Sequence, residues 1–100
     1  YSENKELTNE ATTKLQIISI TPNPSTQYTD ILFSSNIGKV TISLYSNEGK
    51  LEFIDKIETM NGLNQYRLNF MNELSNGIYL IKITNSNNQT VTDKIIINKS

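Results

Sequence analysis

The side chains with chemistry to offer are Asp30, Asp55, Asp93, the glutamates, the lysines and a surplus of serine and threonine hydroxyls; histidine and cysteine are absent. Nucleophilic catalysis needs a hydroxyl or thiol beside a base, and the commonest base and metal ligand is histidine. Paired carboxylates would suit glycoside hydrolysis, but the carboxylates here are isolated along the chain and read as solvated surface charge. No Asp-rich loop of the calcium-binding kind, no zinc spacing and no phosphate loop occurs. Asn88-Gln89-Thr90 matches a glycosylation triplet, a pattern common by chance. The expectation is therefore no catalytic residue, no cofactor, no metal and no small-molecule substrate: this is not an enzyme.

The remaining residues of interest are aromatic and apolar. After the Asn76-Gly77 turn signal, the apolar positions alternate. Tyr79, Ile81 and Ile83 fall on one face, Ile78 and Leu80 on the other. A short polar turn, Asn85 to Asn88, leads to a last run, Thr90 to Asn98, in which Val91, Ile95 and Ile97 share a face. If that face is the core, Ile78, Leu80 and Ile96 point outward on adjacent strands as an apolar patch that suits a contact surface, a dimer included. Tyr79 is expected to bury its ring and bond its hydroxyl to nearby backbone, as in the tyrosine corner of sandwiches. A strand this close to a terminus must be tied into a sheet or it frays.

The elements that position these residues follow from the same period-two reading. Leu15 to Thr21 is a first strand, with Ile18 and Ile20 on one face and Ile17 on the other, broken by Pro22-Asn23-Pro24. Asp30 to Ile37 is a second, with Ile31 and Phe33 together. Gly38-Lys39 turns the chain into Val40 to Ser46, where Val40, Ile42 and Leu44 face in and Thr41 and Ser43 face out. Asn47-Glu48-Gly49 makes a hairpin turn to Leu51 to Glu58, with Leu51 and Phe53 in phase and a bulge or change of face around Asp55. Asn61-Gly62 turns into Asn64 to Phe70, alternating through Tyr66, Leu68 and Phe70. Seven strands with turn chemistry between them predict an all-β, seven-stranded antiparallel immunoglobulin-like β-sandwich over residues 15–100. Residues 1–14 read as a polar linker or arm, which suggests a larger cargo domain upstream.

Composition sets the outer bounds. One hundred residues make one domain. A net charge of −1, nine basic against ten acidic residues scattered along the chain, argues against nucleic acid and against a polybasic membrane patch. No apolar run approaches the roughly 20 residues of a bilayer span, and Tyr1 opens a polar segment that is not an export signal.

The ordered series Pro22-Asn23-Pro24, the strand from Ile31, Val40 to Ser46 running into Asn47-Glu48-Gly49-Lys50, Leu74 to Ile83, and Lys94 to Lys99 resembles the C-terminal sorting domain of the type IX (Por) secretion system, type A, of Bacteroidetes. The resemblance covers Leu15 to Ser100. It departs at Thr21, where a hydrophobic or aromatic residue usually precedes the first proline, and at Ser100, which follows the last lysine.

The resemblance implies a secretion signal domain at the end of a cargo protein. It implies recognition in the periplasm by the translocation machinery, passage to the cell surface or the medium, and removal by a sortase. Its cut would fall in the arm, between Leu7 and Leu15, around Leu7, Ala11 and Lys14. The residues expected to meet the translocon are those of the closing hairpin: Gly77, Ile78, Tyr79, Leu80 and Lys82 on one strand, and Lys94, Ile95, Ile96, Ile97 and Lys99 on the other. Recognition would use strand addition at a sheet edge or docking on the patch of Ile78, Leu80 and Ile96, with Lys94 and Lys99 guiding encounter. Two other readings compete. A carbohydrate- or protein-binding accessory module would want a row of exposed aromatics, for which Tyr28, Tyr45 and Tyr66 are the candidates. A passive spacer would be expected in tandem arrays.

Overall fold

A computed structural model describes residues 14–23, 27–69 and 74–98. Seven strands run through them: β1 (Gln16–Thr21), β2 (Tyr28–Ser35), β3 (Gly38–Ser46), β4 (Leu51–Thr59), β5 (Gly62–Asn69), β6 (Gly77–Asn85) and β7 (Thr90–Ile97). All pairings are antiparallel. The strands form two sheets, ordered β1-β2-β5 and β4-β3-β6-β7. The expected all-β sandwich is what the chain adopts. In the constant-type immunoglobulin arrangement the fourth strand pairs with the fifth; here β4 stays beside β3, in the other sheet.

The core lies between the sheets, filled by the strictly alternating positions. Ile31 and Phe33 of β2 are fully buried, as are Ile42 and Leu44 of β3, Ile81 and Ile83 of β6, and Ile95 of β7. Burying each such side chain stabilises the fold by roughly 1.5–3 kcal/mol. Ser43 is buried too, although it faces outward; its in-register neighbours are Ile54 on β4 and Lys82 on β6. Phe70, which the sequence places in the alternation of β5, lies outside the described residues, and so do Leu7, Ala11, Lys99 and Ser100.

Three local expectations are corrected. A register shift between Ile17 and Ser19 against β2 puts Ile18 into solvent, while Ile17 and Ile20 both pack on the core. In β4 the irregularity falls between Leu51 and Phe53, opposite Tyr45 and Leu44, and not at Asp55. Phe53 packs on the core; Leu51 is exposed and pairs with Tyr45. From Phe53 to Thr59 the alternation is unbroken, so Ile57 and Asp55 share the inward phase and Ile54 faces water. Third, the chain leaves β2 at Asn36-Ile37, and Gly38 already belongs to β3. The cause is a set of bonds between the two crossovers that link the sheets. The Thr59 hydroxyl donates to the Asn36 carbonyl at 2.7 Å, and the Ile37 N–H donates to Oδ1 of Asn61 at 2.7 Å.

The two hairpins of the larger sheet are built alike. At the β3–β4 turn, Oγ of Ser46 accepts the N–H groups of Glu48 and Lys50, each at 3.2 Å. At the β6–β7 turn, Oδ1 of Asn85 accepts those of Asn87 and Gln89 at 3.0 and 2.9 Å. The fourth residue of each turn has positive φ, 88° at Gly49 and 65° at Asn88. This is a left-handed position that Gly and Asn tolerate best, and the pattern is a three-residue hairpin loop ending in a left-handed residue.

Candidate functional site

Strands β6 and β7 are in register from Gly77↔Ile97 to Thr84↔Thr90. The pairing fixes which residues share a face. Tyr79, Ile81, Ile83, Ile95 and Ile97 are buried, while Ile78 and Leu80 are 46% and 44% exposed although β6 is an interior strand. Ile96, opposite Ile78, is half-buried on the same outer face. Tyr79 does what a tyrosine corner does: its ring is buried and its hydroxyl donates to the Ser75 carbonyl at 2.7 Å. Tyr79, Ile95 and Ile97 therefore hold the hairpin in the core, and Ile78, Leu80 and Ile96 are the apolar residues it turns to the outer face.

The outer patch is wider than alternation along the hairpin suggested. Leu80 pairs with Tyr45 of β3 and with Lys94 of β7, and Tyr45 pairs with Leu51 of β4. A row Leu51–Tyr45–Leu80–Lys94 thus runs across all four strands, beside Ile78–Ile96. A groove of about 580 Å³ lies along it, lined by Tyr45, Ile78 and Leu80 together with Lys82 and Lys94. The Lys82 ammonium stands 5.8 Å from the centre of the Tyr45 ring, at the outer reach of a cation–π contact. Sequence reading missed Tyr45 and Leu51 as members of this surface. Tyr45 was legible as outward from β3's alternation, but its neighbour on β4 depends on the bulge.

Two carboxylates, Asp30 and Asp55, are not free surface charge but tie strands together. Asp30 and Arg67 are direct partners between β2 and β5, joined by two bonds of 2.8 and 3.0 Å. The bond from Arg67 holds the Asp30 carboxyl below the usual carboxylate range. The same guanidinium lies 4.0 Å from the centre of the Tyr28 ring. Asp55 accepts the Tyr66 hydroxyl at 2.8 Å; burial, reinforced by that bond, raises the Tyr66 pKa well above its ordinary value. Among the described residues no group of three or more His, Cys, Asp or Glu side chains is placed to hold a metal ion. Tyr28, Tyr45 and Tyr66 do not form a row: Tyr66 pairs with core-facing Ile31, Tyr28 sits under Arg67, and Tyr45 belongs to the other sheet.

The turn after β1 is tied to the last strand: Oδ1 of Asn23 accepts the Ile96 N–H at 3.0 Å. The Pro22-Asn23 motif and the closing hairpin are thereby one structural unit, the two ends of the series that carried the resemblance. The sequence profile described as secretion system C-terminal sorting domain matches residues 19–98, from β1 through the end of β7. The chain belongs to this family. The sorting domain is a secretion signal of the type IX system, a family of signals and not of catalysts, and it directs protein to the cell surface or the extracellular space. No curated protein matches the chain. Among solved structures it is similar to CopC from Methylosinus trichosporium OB3b, with a TM-score of 0.53 and 17% identity over 84% of this chain and 91% of that one. It is also similar to part of the β-glucosidase from Listeria innocua in complex with glucose, with a TM-score of 0.51 and 10% identity over 86% of this chain and 16% of that one. At these identities the likeness is one of fold alone.

Proposed function

We propose that the type IX machinery takes hold of this sorting domain by the outer face of its four-stranded sheet, at Ile78, Leu80 and Ile96 with Tyr45 and Leu51. The observation that carries this reading is the exposure of Ile78 and Leu80 on an interior strand, in a groove that Lys82 and Lys94 also line. Contiguous exposed apolar surface of this kind marks contact sites. The cations steer encounter more than they set affinity. Gly77 opens β6, and Ile78 after it lines the groove.

The domain engages the machinery in the periplasm, carries an upstream cargo with it, and is removed by the sortase at the surface. The cut falls in the arm, between Leu7 and Leu15. In support, Leu15 is buried and the Lys14 carbonyl accepts the Ser34 hydroxyl at 2.6 Å, which ties the chain to β2 from that point on. Dimerisation through the same apolar face would compete with docking.

Deleting Lys94 to Ser100 removes Ile95 and Ile97 from the core, and so tests folding along with recognition. A cleaner experiment fuses the chain to a reporter in a type IX-competent host and compares Leu80→Asp and Ile96→Asp with Ile37→Asp. Ile37 is exposed in a smaller depression at the opposite end of the sheet, by Lys39 and Glu58. The first two variants should keep the reporter inside the envelope while melting at the wild-type temperature; Ile37→Asp should deliver it. Normal delivery of Leu80→Asp and Ile96→Asp sinks the proposal.

A further inference from the structure

Strand β7 is the outermost strand of its sheet. Along such an edge, every second residue turns its N–H away from the sheet. The Ile96 N–H is one of these, since it donates to Asn23 and not to β6. Lys94, two residues earlier, has the same orientation, and its N–H donates to Oδ1 of Asp93 at 2.8 Å. Two consecutive outward donors of the edge are therefore occupied by side-chain oxygens. The acceptors have different origins. Asp93 is the strand's own, whereas Asn23 reaches over from the turn after β1, 73 residues away in sequence. A residue followed by proline is confined to extended geometry, which suits Asn23 to hold a fixed reach.

The edge needs such cover. Ile95-Ile96-Ile97 is a run of high β propensity, and an exposed edge of that composition is a template for pairing with another chain. Charged side chains and occupied donors are the usual protection. Asp93 supplies the acceptor, and with Lys94 it sets charged side chains, which must stay hydrated, on the edge.

We propose that Asn23 and Asp93 are guards that close the β7 edge to strand addition, and that the partner they exclude is the β7 edge of a second copy of this chain. A closed β7 edge bears on strand addition there and leaves docking on the outer face of the sheet untouched.

The test uses the full chain as wild type, as the Asn23→Ala/Asp93→Ala double variant, and as Asn23→Asp/Asp93→Asn, which keeps an acceptor oxygen at both positions. Amide exchange by NMR reads the caps, and light scattering over a concentration series reads association. In dilute solution the double-alanine variant should exchange the Ile96 and Lys94 amides about three- to tenfold faster, the factor expected of one net hydrogen bond. At higher concentration it should associate, while wild type and the acceptor-retaining variant stay monomeric. Both positions are exposed, so the core amides of Ile42 and Ile81 should keep their protection; if the double variant loses it, the single variants carry the test. Unchanged exchange at Ile96 overturns the proposal. So does a double-alanine variant that exchanges faster yet stays monomeric, or a wild type that already pairs through β7.

Discussion

The Tyr66 hydroxyl donates to the Asp55 carboxylate at 2.8 Å, and with that bond a strand of the three-stranded sheet is fastened to a strand of the four-stranded one. Both side chains sit at the inward phase of their strands, Tyr66 opposite Ile31 and Asp55 opposite Ile42. They close the side of the sandwich on which β4 and β5 are the outermost strands.

Removing that bond has a signed consequence. The Tyr66 pKa is raised in the folded protein by burial and by Asp55, so above about pH 10 the unfolded chain releases this proton while the folded chain keeps it. The stabilisation is complete below that pH and is lost as pH rises toward the folded value. Tyr66→Phe should lower stability by about 1 kcal/mol at neutral pH, and it should flatten the alkaline fall. Urea denaturation at pH 7 and above pH 10 checks both.

The Asp30–Arg67 pair acts at the other end of the scale. Its carboxyl is held below the ordinary value, so its contribution is present above about pH 4 and is lost as pH falls through the depressed folded value. Asp30→Asn should lessen the acid sensitivity of the midpoint. The pair is exposed, so added salt should reduce the difference between variant and wild type at neutral pH. Thermal melts across pH 2 to 7, with and without salt, follow from this.

Tyr79 and Ile81 separate a hydrogen bond from packing on one strand. Tyr79→Phe keeps the ring and loses the bond to Ser75, for about 1 kcal/mol. Ile81→Ala opens a cavity at a fully buried position and should cost ~2–5 kcal/mol. Chemical denaturation ranks them; an equal loss would mean that the corner bond matters more than its type suggests.

Asn88 has a φ of 65° at the end of the β6–β7 hairpin loop. Asn88→Gly should be neutral or stabilising, whereas Asn88→Val should cost roughly 1–2 kcal/mol, the penalty of a β-branched residue in the left-handed region. Comparing melting temperatures of the two variants decides it.

Much of this protein was legible because its strands alternate. Val40, Ile42 and Leu44, or Tyr79, Ile81 and Ile83, announce their buried face without help from any partner, since side chains on a strand alternate by geometry alone. Most turn residues were legible for a similar local reason; the β2–β3 link at Asn36-Ile37 was not, because its bonds come from Thr59 and Asn61, distant in sequence. Strand phase was misread at Ile18 and near Leu51. A bulge is set by the spacing of the opposite strand, so nothing at either residue alone reports that its phase has slipped.

From the chain alone came the all-strand character, the inward set of each strand, the likeness of the ordered motifs to a sorting domain, and the outward placement of Ile78, Leu80 and Ile96. The tertiary structure decided that β4 joins β3 and not β5, that Leu51 and Tyr45 extend the patch, and that Asn23 reaches the backbone of Ile96. The division has one physical cause. Alternation and turn preference are properties of neighbouring residues, whereas sheet order, bulge register and a contact spanning 73 positions exist only once distant segments are brought side by side.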